Sequence, residues 1–186
     1  MSVVVGIKSN DRIIVGCDDR FSSDDSYFDS RNCKSKAFVY KGKKDFIIGC
    51  VGNIAIADLF APLVAKLEII NETTLLYTTI AFIDKYRYLS SIYDDSLNGA
   101  LLIACGKDAY IIESNLLVRK ISDHAAIGSG GMAALGALSA LNHYSIDDET
   151  KVAYSVYAAG EVCLSVSQNV YIANTKELEF NKKRIK

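Results

Sequence analysis

Few residues in this chain combine reactivity with suggestive spacing. The most distinctive stretch is AIGSGGMAALGALSAL at 126–141, a glycine-rich turn running into small and apolar residues. Free backbone N–H groups at such a turn could hold a phosphate. The segment lacks the lysine of G-x-x-x-x-G-K-[ST] and the spacing of G-x-G-x-x-G, so a nucleotide site has weak support. A tight strand-to-helix turn, with glycines where side chains would clash, explains it equally well. Ser2 stands immediately before an apolar run, and the pair Asp18–Asp19 follows a second one. His124 and His143 are the only histidines, and neither sits near a cysteine cluster. The five cysteines (Cys17, Cys33, Cys50, Cys105 and Cys163) form no C-x-x-C, which argues for reduced core thiols and against a structural zinc.

The elements that must position these residues are legible from their periodicity. VVVGI at 3–7 and IIVGC at 13–17 flank the polar turn KSNDR, a hairpin signal. Both runs are apolar on both faces, so the sheet they form should be covered on each side. The polar segment 22–32 reads as a loop, followed by a second hairpin, KAFVY and FIIGCVG around KGKKD. Helical spacing then begins, with Ile54, Ala57, Ala61 and Val64 on one face; Pro62, the only proline, should kink that helix or mark its start. A second helix is expected over about 74–92, burying Leu76, Ile80 and Ile83. Strands return at NGALLIACG, AYIIES and LLVRKI. A helix over 131–143 should bury Met132, Leu135, Leu138 and Leu141. IDDET supplies cap and first-turn acids for a last helix burying Val152, Val156, Ala159 and Cys163, and a strand near NVYIA closes the series.

Strands and helices thus come in blocks, unlike a Rossmann alternation. Two sheets stacked between two helical layers would satisfy the doubly apolar hairpins. At 186 residues, with no linker or repeat, the sequence predicts one domain, 1–186. The net charge of −1 gives no reason to expect nucleic acid or an acidic membrane surface as partner. No stretch approaches the roughly 20 apolar residues of a membrane span, and the start lacks the pattern of a secretory signal. A cytoplasmic protein is expected, with NKKRIK as a short solvated tail.

The order of Ser2, Asp18 after the second strand, the lysine of SKAF, the turn V-G-N before a helix, and A-I-G-S-G-G before a later helix resembles the proteasome β-type family of N-terminal nucleophile hydrolases. Among these it is most like the HslV-type bacterial peptidase subunit and its small relatives. The resemblance runs from Ser2 to about Ser165 and implies an α+β, four-layer αββα sandwich acting as an amidohydrolase on peptides or unfolded proteins. It implies no cofactor and no metal. Removal of Met1 would expose Ser2 with a free α-amine, whose pKa of about 8 lets it accept the hydroxyl proton near neutrality. The family prefers threonine here, and serine is a departure.

The same resemblance gives Asp18 the role of orienting a lysine. Lys34 and Lys36 are both candidates; Lys36 is chosen, because loop 22–32 absorbs an insertion more easily than a strand does. Of Asp18 and Asp19, alternation should turn one inward and one outward. Gly52 matches the oxyanion-hole glycine, with Asn53 where the family usually has a second glycine. Ser129, supported by Gly130, matches the serine that bonds near the α-amine, and Glu161 in AGEVCLS takes the place of an acid. Phe21, Cys50 and Ile54 correspond to substrate-pocket positions, or else pack the core. The family further implies a homo-oligomeric ring served by a separate ATPase unfoldase. A catalytically silent assembly subunit and a small-molecule amide hydrolase are the alternatives on the same fold.

Overall fold

A computed structural model describes residues 2–23, 26–29, 36–86, 92–93 and 96–185, without the side chains of 21–23, 26–29, 92–93 and 96. Strands β1 (Val4–Ser9), β2 (Arg12–Cys17), β3 (Arg20–Ser23), β4 (Ser26–Asp29), β5 (Ala37–Tyr40) and β6 (Phe46–Gly52) come first. Helices α1 (Ala55–Val64) and α2 (Glu72–Tyr86) follow, then β7 (Ile92–Tyr93), β8 (Ser96–Leu97), β9 (Gly99–Cys105), β10 (Asp108–Ile112), β11 (Val118–Lys120) and β12 (His124–Ile127). Helices α3 (Gly131–Leu141) and α4 (Asp148–Val162) precede β13 (Val170–Asn174) and β14 (Asn181–Lys183).

Two five-stranded antiparallel sheets result, in the orders β12-β1-β2-β13-β14 and β11-β10-β9-β6-β5. Strand alternation sorts the side chains into three apolar layers. Val3, Val5 and Ile7 pack with Ile14 against Ala134, Leu138, Val152 and Val156 of α3 and α4. Val4, Ile13, Val15 and Cys17 point the other way and meet Ile47, Val51, Leu102 and Ile111 between the sheets. Phe46, Ile48 and Cys50 face Ile56, Phe60, Leu75 and Phe82 of α1 and α2. This is the αββα sandwich, and it explains why the first two strands are apolar on both faces.

Several local expectations are corrected. The stretch 22–32 is no plain loop, since β3 and β4 pair as a small antiparallel hairpin; its serine-rich strands carry no apolar alternation to reveal them. Pro62 lies in the last turn of α1 and does not start it. Helix α2 is rotated by about one residue from the expected stripe: Leu75, Thr79, Phe82 and Ile83 are buried, whereas Leu76 and Ile80 are exposed. Thr79 tolerates the core because its hydroxyl donates to the Leu75 carbonyl at 2.7 Å. Phe82 adds an edge-on contact to Phe60, with ring centroids 5.3 Å apart. In α3 the small face is the buried one, with Gly131, Ala134 and Leu138, and Met132 is exposed. Cys163 caps the end of α4 and is only half-buried. The basic tail is ordered as far as β14, which pairs with β13 through Val170↔Lys183 and Ile172↔Asn181. No helix among the described residues is long and apolar enough to cross a membrane.

Candidate active site

Ser2 is buried at the entry to β1, at one end of the sandwich. The register fixes its neighbours on both sides. Val4 pairs with Cys17 of β2 and with Ile127 of β12, so the chain just before Val4 lies between Asp18 and the turn Gly128–Ser129–Gly130. The Val3 N–H donates to Asp18 Oδ1 at 3.1 Å, and the Gly130 N–H donates to the Ser2 carbonyl at 3.4 Å. Gly128, at φ +99°, passes so close that a Cβ there would fall 2.1 Å from the Ser2 carbonyl oxygen and 3.0 Å from Val51 Cγ1. Only glycine can make that turn.

Asp18 is the hub of the site. Besides Val3, its carboxylate accepts from the Arg20 N–H at 3.0 Å, the Ser167 N–H at 3.1 Å and Lys36 Nζ at 2.8 Å, all three at Oδ2. Lys36 precedes β5 in the second sheet, where its carbonyl accepts from the Cys50 N–H at 2.7 Å. Its side chain spans the gap between the sheets to reach Asp18 and is itself fully buried. Burial pushes the Lys36 ammonium down, the charge and hydrogen bond of Asp18 push it back up, and the balance lies below its ordinary value. Lys34 lies outside the described residues, as does the side chain of Phe21.

Asp19 departs from the expected alternation: it too is buried, accepting from the Ser167 hydroxyl at 2.6 Å. Strand β2 ends at Cys17, so period two no longer governs the carboxylates beyond it. Gly52 ends β6 opposite Gly99 at φ +91°, and a Cβ there would fall 2.3 Å from the Asn98 carbonyl. Asn53 does not adopt a positive φ; its side chain accepts from the Ala55 N–H at 3.1 Å and opens α1.

Ser129 is exposed on the turn, and its hydroxyl lies 2.8 Å from that of buried Ser165. Cys163 Sγ is 3.2 Å from Ser165 Oγ and 3.8 Å from Ser129 Oγ. Partial burial raises this thiol's pKa, but the two serine hydrogen bonds outweigh it and hold the group below its ordinary value. Glu161 does not join the group. It is exposed and bonds the Gln168 side chain, because the last turn of α4 points it away. Cys50 faces the core layer under α1 and α2, where burial pushes its thiol up to about 12, and Ile54 is half-buried at the helix N-cap. Ser165 and Ser167 are the residues the sequence reading missed. Their signal was the spacing S-x-S after a helix, which turns two hydroxyls to one side of an extended segment.

The site therefore gathers a buried hydroxyl residue, an acid–lysine pair and a serine-bearing glycine turn at one end of two sheets. Among the described residues no group of three His, Cys, Asp or Glu gathers as a metal site. No family model matches the chain. It is 26% identical over 180 residues to the ATP-dependent protease subunit HslV of Aliarcobacter butzleri, covering 95% of this chain and 98% of that one. It is likewise 26% identical over 179 residues to the HslV subunit of Nitratiruptor, with the same two coverages. Among solved structures, Thiobacillus denitrificans BPH in complex with epoxomicin superposes with a TM-score of 0.76 at 20% identity, over 92% of this chain and 97% of that one. HslV from Trypanosoma brucei gives 0.71 at 17% identity, over 92% and 98%. Sequence and architecture together make the chain an HslV-like protein with the fold of the proteasome β-type family.

Proposed function

We propose that the chain is a peptidase whose nucleophile is Ser2, unmasked by removal of Met1. The observation that carries this reading is the clamping of the Ser2 backbone between the Asp18–Lys36 pair and the Gly128–Gly130 turn. The α-amine takes the hydroxyl proton as Ser2 Oγ bonds to the substrate carbonyl carbon. The resulting oxyanion is held by the Gly52 N–H, an arrangement worth about 3–4 kcal/mol in a well-measured acyl-transfer case. Collapse breaks the C–N bond, and the leaving amine receives the proton from the ammonium. Water then attacks the Ser2 ester, again giving its proton to the α-amine; collapse breaks the C–Oγ bond, Oγ takes that proton back, and the acid product departs. Lys36 stabilises negative charge developing at the nucleophile, and Asp18 holds Lys36 in place. Ser129 and Ser165 orient the α-amine. The named relatives are subunits of an ATP-dependent protease, which supports a ring-forming role beside a separate ATPase for this chain.

Intact-mass measurement joined to labelling with a peptide epoxyketone or β-lactone tests the mechanism. A mass lacking Met1, with a single adduct at Ser2 that disappears in Ser2→Ala, is expected. Undiminished labelling of Ser2→Ala rules Ser2 out. The displacement of Glu161 from the site favours one other reading, a silent assembly subunit. Full retention of Met1 in an intact oligomer decides for that reading.

A further inference from the structure

Asp19, just beyond the end of β2, is a carboxylate only 1% exposed to which the hydrolytic steps give no part. Its Oδ1 accepts from the Ser167 hydroxyl at 2.6 Å, and the same Ser167 Oγ accepts from the Asn169 N–H at 3.1 Å. That second bond leaves the hydroxyl proton directed at Asp19. The Ser167 N–H meanwhile donates to Asp18 Oδ2 at 3.1 Å, the oxygen that also takes Lys36 Nζ at 2.8 Å. Both acids thus grip one residue of the segment after α4, Asp18 by its backbone and Asp19 by its side chain. Ser165 belongs to the same segment, with its hydroxyl 2.8 Å from that of Ser129. The Arg20 guanidinium is committed to this segment as well, donating to the Leu164 and Val166 carbonyls at 2.9 and 3.3 Å.

We propose that Asp19 is a positioning residue of the same centre, which through Ser167 holds the Asp18 carboxylate against Lys36, a role that rests on the Ser2 reading of the site. A neutral amide accepts the same hydrogen bond without the desolvation cost of a buried charge. A carboxylate adds what an amide lacks, a second negative charge acting on the buried ammonium. Asp18, Cys17 and Asp19 all act to raise the Lys36 pKa against the stronger pull of burial. Of the other titratable groups nearby, Arg20 is turned to the two carbonyls and Cys163 lies beside Ser165. Once Met1 is gone, the Ser2 α-amine joins them. Without the Asp19 charge, Lys36 holds its proton less firmly, and the centre loses its ammonium at lower pH.

Rates of epoxyketone labelling of the full-length protein, in its own oligomeric state, from neutrality to about pH 10 test the assignment. Asp19→Asn keeps an acceptor for Ser167 and removes the charge. The alkaline limb of its rate profile should lie at least about half a pH unit below that of wild type. Ser167→Ala keeps the charge and removes the link, and should label at least about fivefold more slowly at neutral pH. Circular dichroism verifies the fold of each variant. An unmoved alkaline limb in folded Asp19→Asn, or labelling of Ser167→Ala at the wild-type rate, overturns the proposal. If wild type carries no adduct at Ser2, the nucleophile reading fails on its own account, and urea unfolding then reads Asp19 directly. The stability gained over Lys36→Met on raising pH should set in at lower pH when both chains also carry Asp19→Asn. Onset at the same pH overturns the proposal by that measure.

Discussion

At the level of single residues, the burial of the Lys36–Asp18 pair makes it testable. Side-chain exposure is 2% for Lys36 and 0% for Asp18, with Nζ and Oδ2 2.8 Å apart. Removing one member leaves an uncompensated buried charge, so Lys36→Met should cost about 3–5 kcal/mol in urea unfolding. The pH dependence has a definite sign. The folded-state pKa of Lys36 lies below its ordinary value, so in the alkaline window beneath 10.5 the unfolded chain binds more protons. Wild-type stability should therefore gain on Lys36→Met as pH rises through that window, by at most about 1.4 kcal/mol per pH unit. Below the folded-state pKa the gain should vanish; a gain on acidification instead would contradict the burial argument. Asp18 and Lys36 were singled out through the family resemblance, Lys36 over Lys34 by the apolar pattern that follows it, and the structure brings the two side chains together. The burial of Asp19 was not legible, because its partner Ser167 is distant in sequence and alternation says nothing beyond the strand end.

Elements succeed or fail as predictions according to how much of their burial is apolar. Strands β1, β2 and β6 were visible because nearly every residue is a core residue on one face or the other, and β9 because of its buried centre. The buried face of α2 was not, because Thr79 hides its hydroxyl on the helix backbone while Leu76, Tyr77 and Ile80 stand exposed. Strand β12 was missed for a related reason: HAAI is short and offers mostly small side chains. Its following turn is the sensitive joint. Gly128→Ala must shift that turn or the Ser2 carbonyl, since a 2.1 Å approach cannot stand. The backbone conformation alone costs about 1–2 kcal/mol for an L-residue. The expected outcome is a lowered melting temperature and loss of epoxyketone labelling under conditions where the variant remains folded. Full labelling of a folded Gly128→Ala would mean that the turn does not position the nucleophile.

For the whole molecule, the block order of strands and helices was enough to reach the four-layer sandwich, because each sheet must be covered on its outer face. Assembly was not legible, since interface residues obey no period and only other copies explain them. If the ring reading holds, mass photometry will show one discrete multiple of 20.3 kDa. A species at 20.3 kDa alone, at micromolar concentration, would exclude a stable ring.

The four donors to Asp18 come from Val3, Arg20, Lys36 and Ser167, which span most of the chain. Synthesis delivers the hydroxyl and amine of Ser2 first and the last of these donors near the end. On the proposed mechanism, a growing polypeptide therefore carries Ser2 through nearly the whole of translation without an assembled site. Ser167 acts as a final key, arriving only when α4 has been made and the loop after it has docked. On the proposed Ser2 mechanism, hydrolysis is thereby withheld until the fold is complete.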